Sequence, residues 1–480
     1  METIRRRDAI RRAVRGRGLS PADRLSPPEQ AFGLTEEQAR DLAHRILSRS
    51  GADGLEVELE SGRRSNTRYA VNRVTTAGSS DDLSVRITAR FGNRAATVTT
   101  NRFDDESLTA AVRGAERLAR LAPENDERMP LLGRQTYAEA PGYYASTADL
   151  DAASRAGVAA SAISAARESG GLDAAGFLEC SAGSTALANS AGLFAFHAAT
   201  DFDYSVTMRT DDGTGSGWAG SGGRQWAGVD SEALHARAIE KAVLSRDPRP
   251  LEPGKYPVVL EPRAVADLVE LLAFSLSARA ADEGRSAFAA GGGGTRIGEQ
   301  IVDSRVTLLS DPVEMGAAPF SSPVGFGGGF VSDDNGLPLG QQVWIEDGVL
   351  KSLFYSRYWA ERQGVRPVGF PSTLIMQGED RSLEELIAST ERAVLVTRLW
   401  YIRSIDPRTV AFTGLTRDGN FLIEGGRISH PVNNFRWNDS PLSVLSHLEA
   451  LSRPERVSVT RKVPALRAGE FNFSSVSEAV

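Results

Sequence analysis

Twice in its first half the chain runs through the same order of patterns, and this recurrence constrains the fold more than any single motif. From 34 to 121, "LTEEQARDLAHRILSRS" places Thr35 and Gln38 at capping-box spacing and sets Ala39, Leu42, Ile46 and Leu47 on one helical face. Four stretches that alternate or are β-branched follow between turn residues: "GLEVELESG", "NTRYAVNRV", "DDLSVRITAR" and "AATVTTN". "DDESLTAAVRGAERLARLA" then returns to the helical period. From about 147 to 245 a helix over "ADLDAASRAGVAASAISAARESG" leads into "AAGFLECSAG", "STALANS", "GLFAFHAAT" and "DFDYSVTMRT", and "DSEALHARAIEKAVLSR" closes the unit. Strands without helices between them imply antiparallel pairing. The pattern predicts an internal duplication of helix, meander and helix.

The second half is organised differently. The proline-rich "DPRPLEPGKYP" marks a boundary. A strand, "YPVVLEP", leads into a predicted helix from about 263 to 284, and a glycine-rich region spans 291 to 329. Beyond Gly336 hairpins dominate, with turn residues at Asp347-Gly348, Asp418-Gly419 and Gly425-Gly426. Ser382 and Glu385 frame a short capped helix. The predicted fold class is α+β. A flexible Arg-rich tail occupies 1–33. An N-terminal domain of antiparallel sheets with flanking helices spans 34–248, and a C-terminal, mainly antiparallel β domain spans 249–480.

Composition removes several function classes. A net charge of −7 gives no clustered basic face for nucleic acid. No run of 18 apolar residues occurs, so no membrane-spanning helix is expected. A single cysteine makes no internal disulfide, which fits a cytoplasmic protein. The first 30 residues hold eight arginines but no apolar stretch behind them, and Glu2, Asp8 and Asp23 count against a transit peptide. A solvated, partly helical tail is the plain reading, and contact with an acidic partner the sharper one.

Isolated chemical signals are few. "GSGWAG" at 215–220 fits G-x-G-x-x-G, but no helical period begins until Ser231, so a flexible loop is expected rather than a phosphate cradle. The glycines at 291–294 and 325–330 suit a cleft lining as well as a mobile loop. The five histidines stand apart, outside metal-ligand spacing, with His44 and His235 expected partly exposed on helices and His197 packed in a strand. Cys180 is expected to be a buried structural residue, and "SDDNG" at 332–336 a turn rather than a calcium loop. In "HPVNNFRWNDS", His430, Asn433, Asn434 and Arg436 are candidates for hydrogen-bonding an extended peptide. The bland alternative is that they satisfy their own turns.

Several stretches in order carry a resemblance: "LSVRITARFGNRAATVTTN", "TALANSAGLF", "GKYPVVLEPRA" with "GRSAF", the run from "ERAVLVTRLWYIRSIDPRTVAFTG" to "HPVNNFRWNDSPL", and "VPALRAGEFNFSS". From about residue 35 onward the chain resembles the TldD/PmbA proteins, a family described as modulators of DNA gyrase and as metallopeptidase subunits. In catalytic members the helix after the "PVVL"-like strand carries H-E-x-x-x-H, two zinc ligands and a general base, with a cysteine further along as third ligand. The resemblance places that motif on Val269 to Phe274, so Val269 and Phe274 stand where the histidines would be and Glu270 where the base would be. Neither side chain carries a lone pair for zinc, and Cys180 lies in the other half. The implied protein is a non-catalytic, PmbA-like subunit with a degenerate metal-site helix and no metal of its own. Zinc is expected only in a catalytic partner. The implied partners are a zinc-bearing TldD-like paralogue, or self as a dimer, and a peptide substrate. The alternatives are a stand-alone peptidase with a different site and a peptide-binding regulatory module.

Overall fold

The computed structural model describes residues 32–322 and 332–477. The tail proper and part of the glycine-rich region, residues 1–31 and 323–331, therefore lie outside the described residues. The chain is α+β, as its patterning predicts. Its first half builds one six-stranded antiparallel sheet in the order β3-β2-β1-β4-β5-β6. The strands are β1 (Gly54–Ala70), β2 (Arg73–Phe91), β3 (Arg94–Thr100), β4 (Asp173–Asn189), β5 (Phe194–Arg209) and β6 (Ser216–Gly223). The two copies of the repeat meet where β1 pairs with β4. Each copy keeps its own helices: α1 (Glu36–Leu47) and α2 (Asp105–Leu121) in the first, α3 (Ala152–Glu168) and α4 (Ser231–Leu244) in the second.

Strand length is where structure and sequence reading part. "GLEVELESG" and the start of "NTRYAVNRV" are one strand of 17 residues, not two. The same merger produces β4 and β5. In β1 and β4 the apparent breaks are glycines, and the structure uses them for close approach rather than for turning. A Cβ on Gly62 would stand 2.6 Å from the Ala182 carbonyl oxygen, and one on Gly183 2.3 Å from that of Ser61. The true turn is Val71–Asn72, both at positive φ as a two-residue hairpin of this hand requires.

Alternation then sorts the two faces. Leu55, Val57 and Leu59 of β1 join Val85 and Ile87 of β2 under α1 and α2. Leu178, Phe202, Tyr204, Val206 and Met208 form a second core under α3 and α4. His235 belongs to this second core. It is buried, against the expectation of partial exposure, because its ring bonds the Tyr204 hydroxyl at 2.7 Å. "GSGWAG" is no flexible loop: most of it is β6, paired along its length with β5. Its glycines let α4 lie against the strand, for a Cβ on Gly217 would come within 2.2 Å of the Ala238 oxygen.

The second half contains two further sheets. In one, β12 (Arg392–Asp406), β7 (Gly254–Leu260), β19 (Leu466–Ser477), β15 (Asn434–Asp439) and β13 (Ala411–Glu424) pair in sequence, and β13 pairs back to β12. The ring closes into a small barrel with β14 (Arg427–Val432) and β16 (Leu448–Leu451) appended. The other sheet joins β8 (Leu308–Ser310), β9 (Gln342–Glu346), β10 (Val349–Leu350), β11 (Leu374–Met376), β17 (Glu455–Arg456) and β18 (Arg461–Val463) in the order β10-β9-β8-β11-β18-β17. Pairing is mainly antiparallel, with parallel contacts at β7–β12 and β11–β18. Between barrel and second sheet runs α5 (Pro262–Ser275), buried along Val265, Leu268, Val269, Leu272 and Ala273. The predicted helix to 284 breaks after Ser275 because Ser277 caps a new short helix, Ala278–Asp282. No helix among the described residues is long and apolar enough to cross a membrane.

The glycine contact at α4 is testable. Gly217→Val is expected to lower the thermal midpoint in calorimetry, reflecting a loss of about 1–3 kcal/mol from overpacking. Gly291→Ala, where an added Cβ meets nothing within 4 Å, is expected to leave it unchanged.

Candidate functional site

The face of the first sheet opposite its helices is polar. Glu56, Glu58, Glu60, Arg64 and Asn66 of β1 alternate onto it, and register brings Arg86, Ser84, Asp82 and Ser80 of β2 alongside. Thr185 and Ser181 of β4 continue the row to His197 and Asp201 of β5. Over the β1–β4 seam, Glu60, Arg64, Asn66, Ser80, Asp82 and Ser84 with the β4 and β5 residues line a trough of about 620 Å³ whose floor is Gly62 and Gly183. A bulky side chain at either glycine would fill the floor, so the same close approach that merges the strands also keeps the trough open.

One end of the polar face is fixed by the second half of the chain. The Ser322 hydroxyl donates to Glu58 at 2.7 Å, and Asn335 donates to Glu56. Between them in sequence, Asp333 takes Arg128 at 2.8 Å and Arg90 at 3.1 Å. Asp334 accepts the Arg357 amide at 2.9 Å, and the Arg357 guanidinium bonds the Asp333 carbonyl at 2.7 Å. "SDDNG" is thus a turn, as expected, but one built as a plug. Asp334 and Asn335 are buried; Asp333 and Asn335 meet partners on or beside the first sheet, and Asp334 meets Arg357 of the second half. The partners Arg90 and Arg128 sit more than 200 residues earlier, and no local signal in the sequence joins them.

Burial sets the protonation states on this face. It pushes Glu58 up to about 7, against the hydrogen bond from Ser322 and the Arg86 charge at 3.5 Å. Glu56 is raised by the same cause, and Asp334 is raised to about 6. His197 is driven down to about 4 by burial and by the neighbouring Arg224, so its ring is neutral at ordinary pH. That ring bonds the Gly316 carbonyl at 3.2 Å, and Arg224 pairs with Asp201.

Two residues along β5, Asp203 faces the same way, and its carboxyl feels the charge of Arg263 on α5. Arg263, Asp267, Glu270 and Phe274 form one stripe along that helix, at the spacing that keeps side chains on a common face. Arg263 reaches Asp267 at 3.5 Å, and the buried Arg461 of β18 reaches Glu270 at 3.5 Å. Burial raises Asp267 to about 6 despite Arg263. Arg398 stands nearby and is bound to the fully buried Asp418, which also takes the Ser216 hydroxyl of β6 at 2.7 Å. Carboxylates and guanidiniums thus alternate across the seam between the two halves of the chain.

The sequence-derived sites sort as follows. Val269 is in the core, while Phe274 is 41% exposed and leans on Phe370 at 5.8 Å. Five residues separate them, which turns about 140° around a helix. Both therefore cannot fill one former ligand space, and the apolar pair is split between core and rim. The residues present do not fit a zinc ion. Glu270 faces a guanidinium, and among the described residues no cluster of three His, Cys, Asp or Glu side chains is arranged to hold a metal. Cys180 is buried beside Arg155, with burial pushing its thiol up. His430 accompanies Ser429 at 3.0 Å. Asn433 accepts the Leu251 amide at 2.7 Å, Asn434 takes Asn420 at 2.8 Å, and the Arg436 side chain is exposed on β15. None of these four lines the trough. What the sequence reading missed is the trough itself, whose signal was the polar half of each alternating strand.

Comparison with known proteins places this geometry. Residues 253–475 match the PmbA/TldA metallopeptidase C-terminal domain, 144–246 the central domain and 55–119 domain 1. A Methanothermobacter thermautotrophicus metalloprotease is 24% identical over 431 residues, 85% of this chain and 86% of that protein. An Archaeoglobus fulgidus metalloprotease is 26% identical over 170 residues, 32% of this chain and 36% of that protein. The crystal structure of TldE from Thermococcus kodakarensis superposes with a TM-score of 0.76 at 20% identity, covering 91% of this chain and all of that one.

Two outcomes follow from the charges. A carboxyl held above its ordinary value of 4.5 binds its proton more tightly when folded, so Glu58 favours folding in acid and loses that contribution as pH rises toward 7. Glu58→Gln is expected to stabilise the protein at pH 8 by up to about 3 kcal/mol and to flatten the fall in melting temperature between pH 5 and 8. Asp333→Ala strands Arg90 and Arg128 in a buried setting and is expected to cost about 3 kcal/mol in the same melts.

Proposed function

Because the chain belongs to the PmbA/TldD family, we propose that it is a non-catalytic subunit of a metallopeptidase assembly, acting in the cytoplasm on unfolded peptides. It pairs with a paralogue that carries the zinc site. The single observation that carries this is Glu270, the one motif position with useful chemistry, held against the buried guanidinium of Arg461 at 3.5 Å. Its carboxylate is committed to a fixed guanidinium, and the flanking Val269 and Phe274 supply no ligand.

What the subunit contributes is enclosure and alignment of substrate. The trough offers hydroxyls, an amide, carboxylates and one neutral imidazole, and no large apolar side chain lines it to set a fixed side-chain preference. That lining suits the main chain of an extended peptide better than any one side chain. In this reading Arg64, Asn66, Thr185 and Ser181 make the peptide contacts in the trough, while His430, Asn433, Asn434 and Arg436 lie on the barrel, outside it. Domains 34–248 and 249–480 are the units we assign to substrate alignment and to the degenerate helix.

Co-expression with a paralogue bearing H-E-x-x-x-H is the test. The two chains are expected to copurify and to cleave an unfolded peptide, and failure of both would sink the proposal. Within that assembly Glu270→Ala is expected to leave the cleavage rate within about twofold. A loss of about a hundredfold or more would make Glu270 a working acid–base group instead.

A further inference from the structure

On its β5 side the trough is walled by two contacts. Asp201 takes the Arg224 guanidinium, and His197 bonds the Gly316 carbonyl at 3.2 Å. Arg224 and Gly316 also line a second cavity, of about 310 Å³. Both halves of the chain enclose it. β6 and the loop after it supply Ser221, Gln225 and Val229, the linker between the copies supplies Tyr144, and β17 supplies Arg456. Glycines of β6 permit this meeting. A Cβ on Gly222 would stand 3.0 Å from the Ser458 Cα, and one on Gly223 3.3 Å from the Arg456 Cδ.

The charges around this cavity do not balance. Arg224 has Asp201, and the acidic side chain on the rim, Glu314, is committed to Lys462 at 2.8 Å. Arg456 donates only to the backbone carbonyls of Glu314 at 3.1 Å and Met315 at 3.3 Å, and among the described residues it pairs with no carboxylate. Burial, and after it the charge of Arg224, weaken its protonated form, as an anion beside it would reverse. The fork has further N–H donors to offer. Among the described residues the side chains of Tyr144, Ser221 and Gln225 make no hydrogen bond, so three more polar groups line the cavity without partners.

We propose that this cavity binds the terminal carboxylate of a peptide whose main chain lies in the trough. One positive charge is left over, which matches a carboxylate better than a phosphate dianion. A guanidinium meets both oxygens of a carboxylate in one plane. Phe202, Val229 and Met315 line the same cavity and give a last side chain an apolar wall, which a bare inorganic anion would not use. The wall shared with the trough puts the site at the end of the peptide path rather than along it. The inference rests on the peptide-binding reading of the trough and adds that substrate is chosen by its C-terminus.

Fluorescence anisotropy of the full-length chain tests it, with two unfolded peptides labelled at the N-terminus. They are identical except that one ends in leucine with a free carboxylate and the other in leucine carboxamide. The free acid is expected to bind about tenfold tighter or more, and Arg456→Gln to reduce that preference to within about twofold. Tyr144→Phe, which removes a hydroxyl without a partner in the chain, is expected to weaken the free acid alone by about threefold. Circular dichroism melts check folding, and Tyr144→Phe carries the test if Arg456→Gln unfolds. Equal binding of the two peptides would overturn the proposal. So would an amidated peptide with an internal glutamate that binds as tightly as the free acid. N-acetylleucine separates this site from the trough, since it is expected to raise the melting temperature of the wild type and not of Arg456→Gln. If it does so while neither long peptide binds, the trough reading fails and the carboxylate site stands. If both peptides bind alike and N-acetylleucine has no effect, the carboxylate site fails and the trough stands.

Discussion

The contact on which the rest of the molecule depends is the crossing of β1 and β4 at Gly62 and Gly183. There the backbones approach so closely that a side chain on either strand would meet a carbonyl of the other at 2.6 or 2.3 Å. The helix-side face of the seam is held by the Ser61 and Ser184 hydroxyls, 3.0 Å apart, and by Leu34, whose amide donates to Ser61 and whose carbonyl accepts from Ser184, both at 2.8 Å. Gly33 fits beneath at a φ of +100°, which a residue with a side chain rarely adopts. Two helix–meander–helix units that would each leave a sheet edge open become one continuous sheet. The helical cores fall on one side and the polar trough on the other.

The second half of the chain meets that polar face through ionic and hydrogen-bonding groups. Glu56, Glu58, Arg90 and Arg128 are taken up by Asn335, Ser322 and Asp333, and the β6 end is fastened by Ser216 and Asp418. Buried charges contribute through geometry more than through net energy, because desolvation offsets much of their attraction. Their effect is to fix how the halves register. An apolar contact would tolerate sliding, whereas Asp333 between two arginines has one good position.

The α+β class, the duplication and the hairpins of the second half follow from periodicity, and the family models agree with the resemblance seen in the ordered motifs. The missed features share a cause. Glycine in "ESGRR", "SAGST" and "GSGWAG" carries the same letter whether it turns a chain or admits a neighbouring backbone, and only the neighbour decides. "SDDNG" has the composition of a turn, and its role depends on Arg90 and Arg128, which periodicity cannot place beside it. His235 looked like a surface helix residue because its partner, the Tyr204 hydroxyl, comes from a strand 31 residues away. Side chains paired across long sequence separation are thus the invisible part, and they make up most of the site.

On α5 the helical stripe explains how a ligand-free helix holds its place. The core side needs only Leu268, Val269 and Leu272, so the apolar contacts are complete without a metal. The outer side sets Asp267 and Glu270 against Arg263, Arg398 and Arg461. A cation site needs donors that converge on one point, whereas here guanidiniums stand between the carboxylates and engage them. Restoring histidines at 269 and 274 would supply imidazoles but would leave Arg461 facing Glu270. It would also put one ring in the core and the other at a half-exposed rim. The stripe is therefore consistent as it stands, and converting it to a metal site requires removing a buried arginine as well as adding ligands.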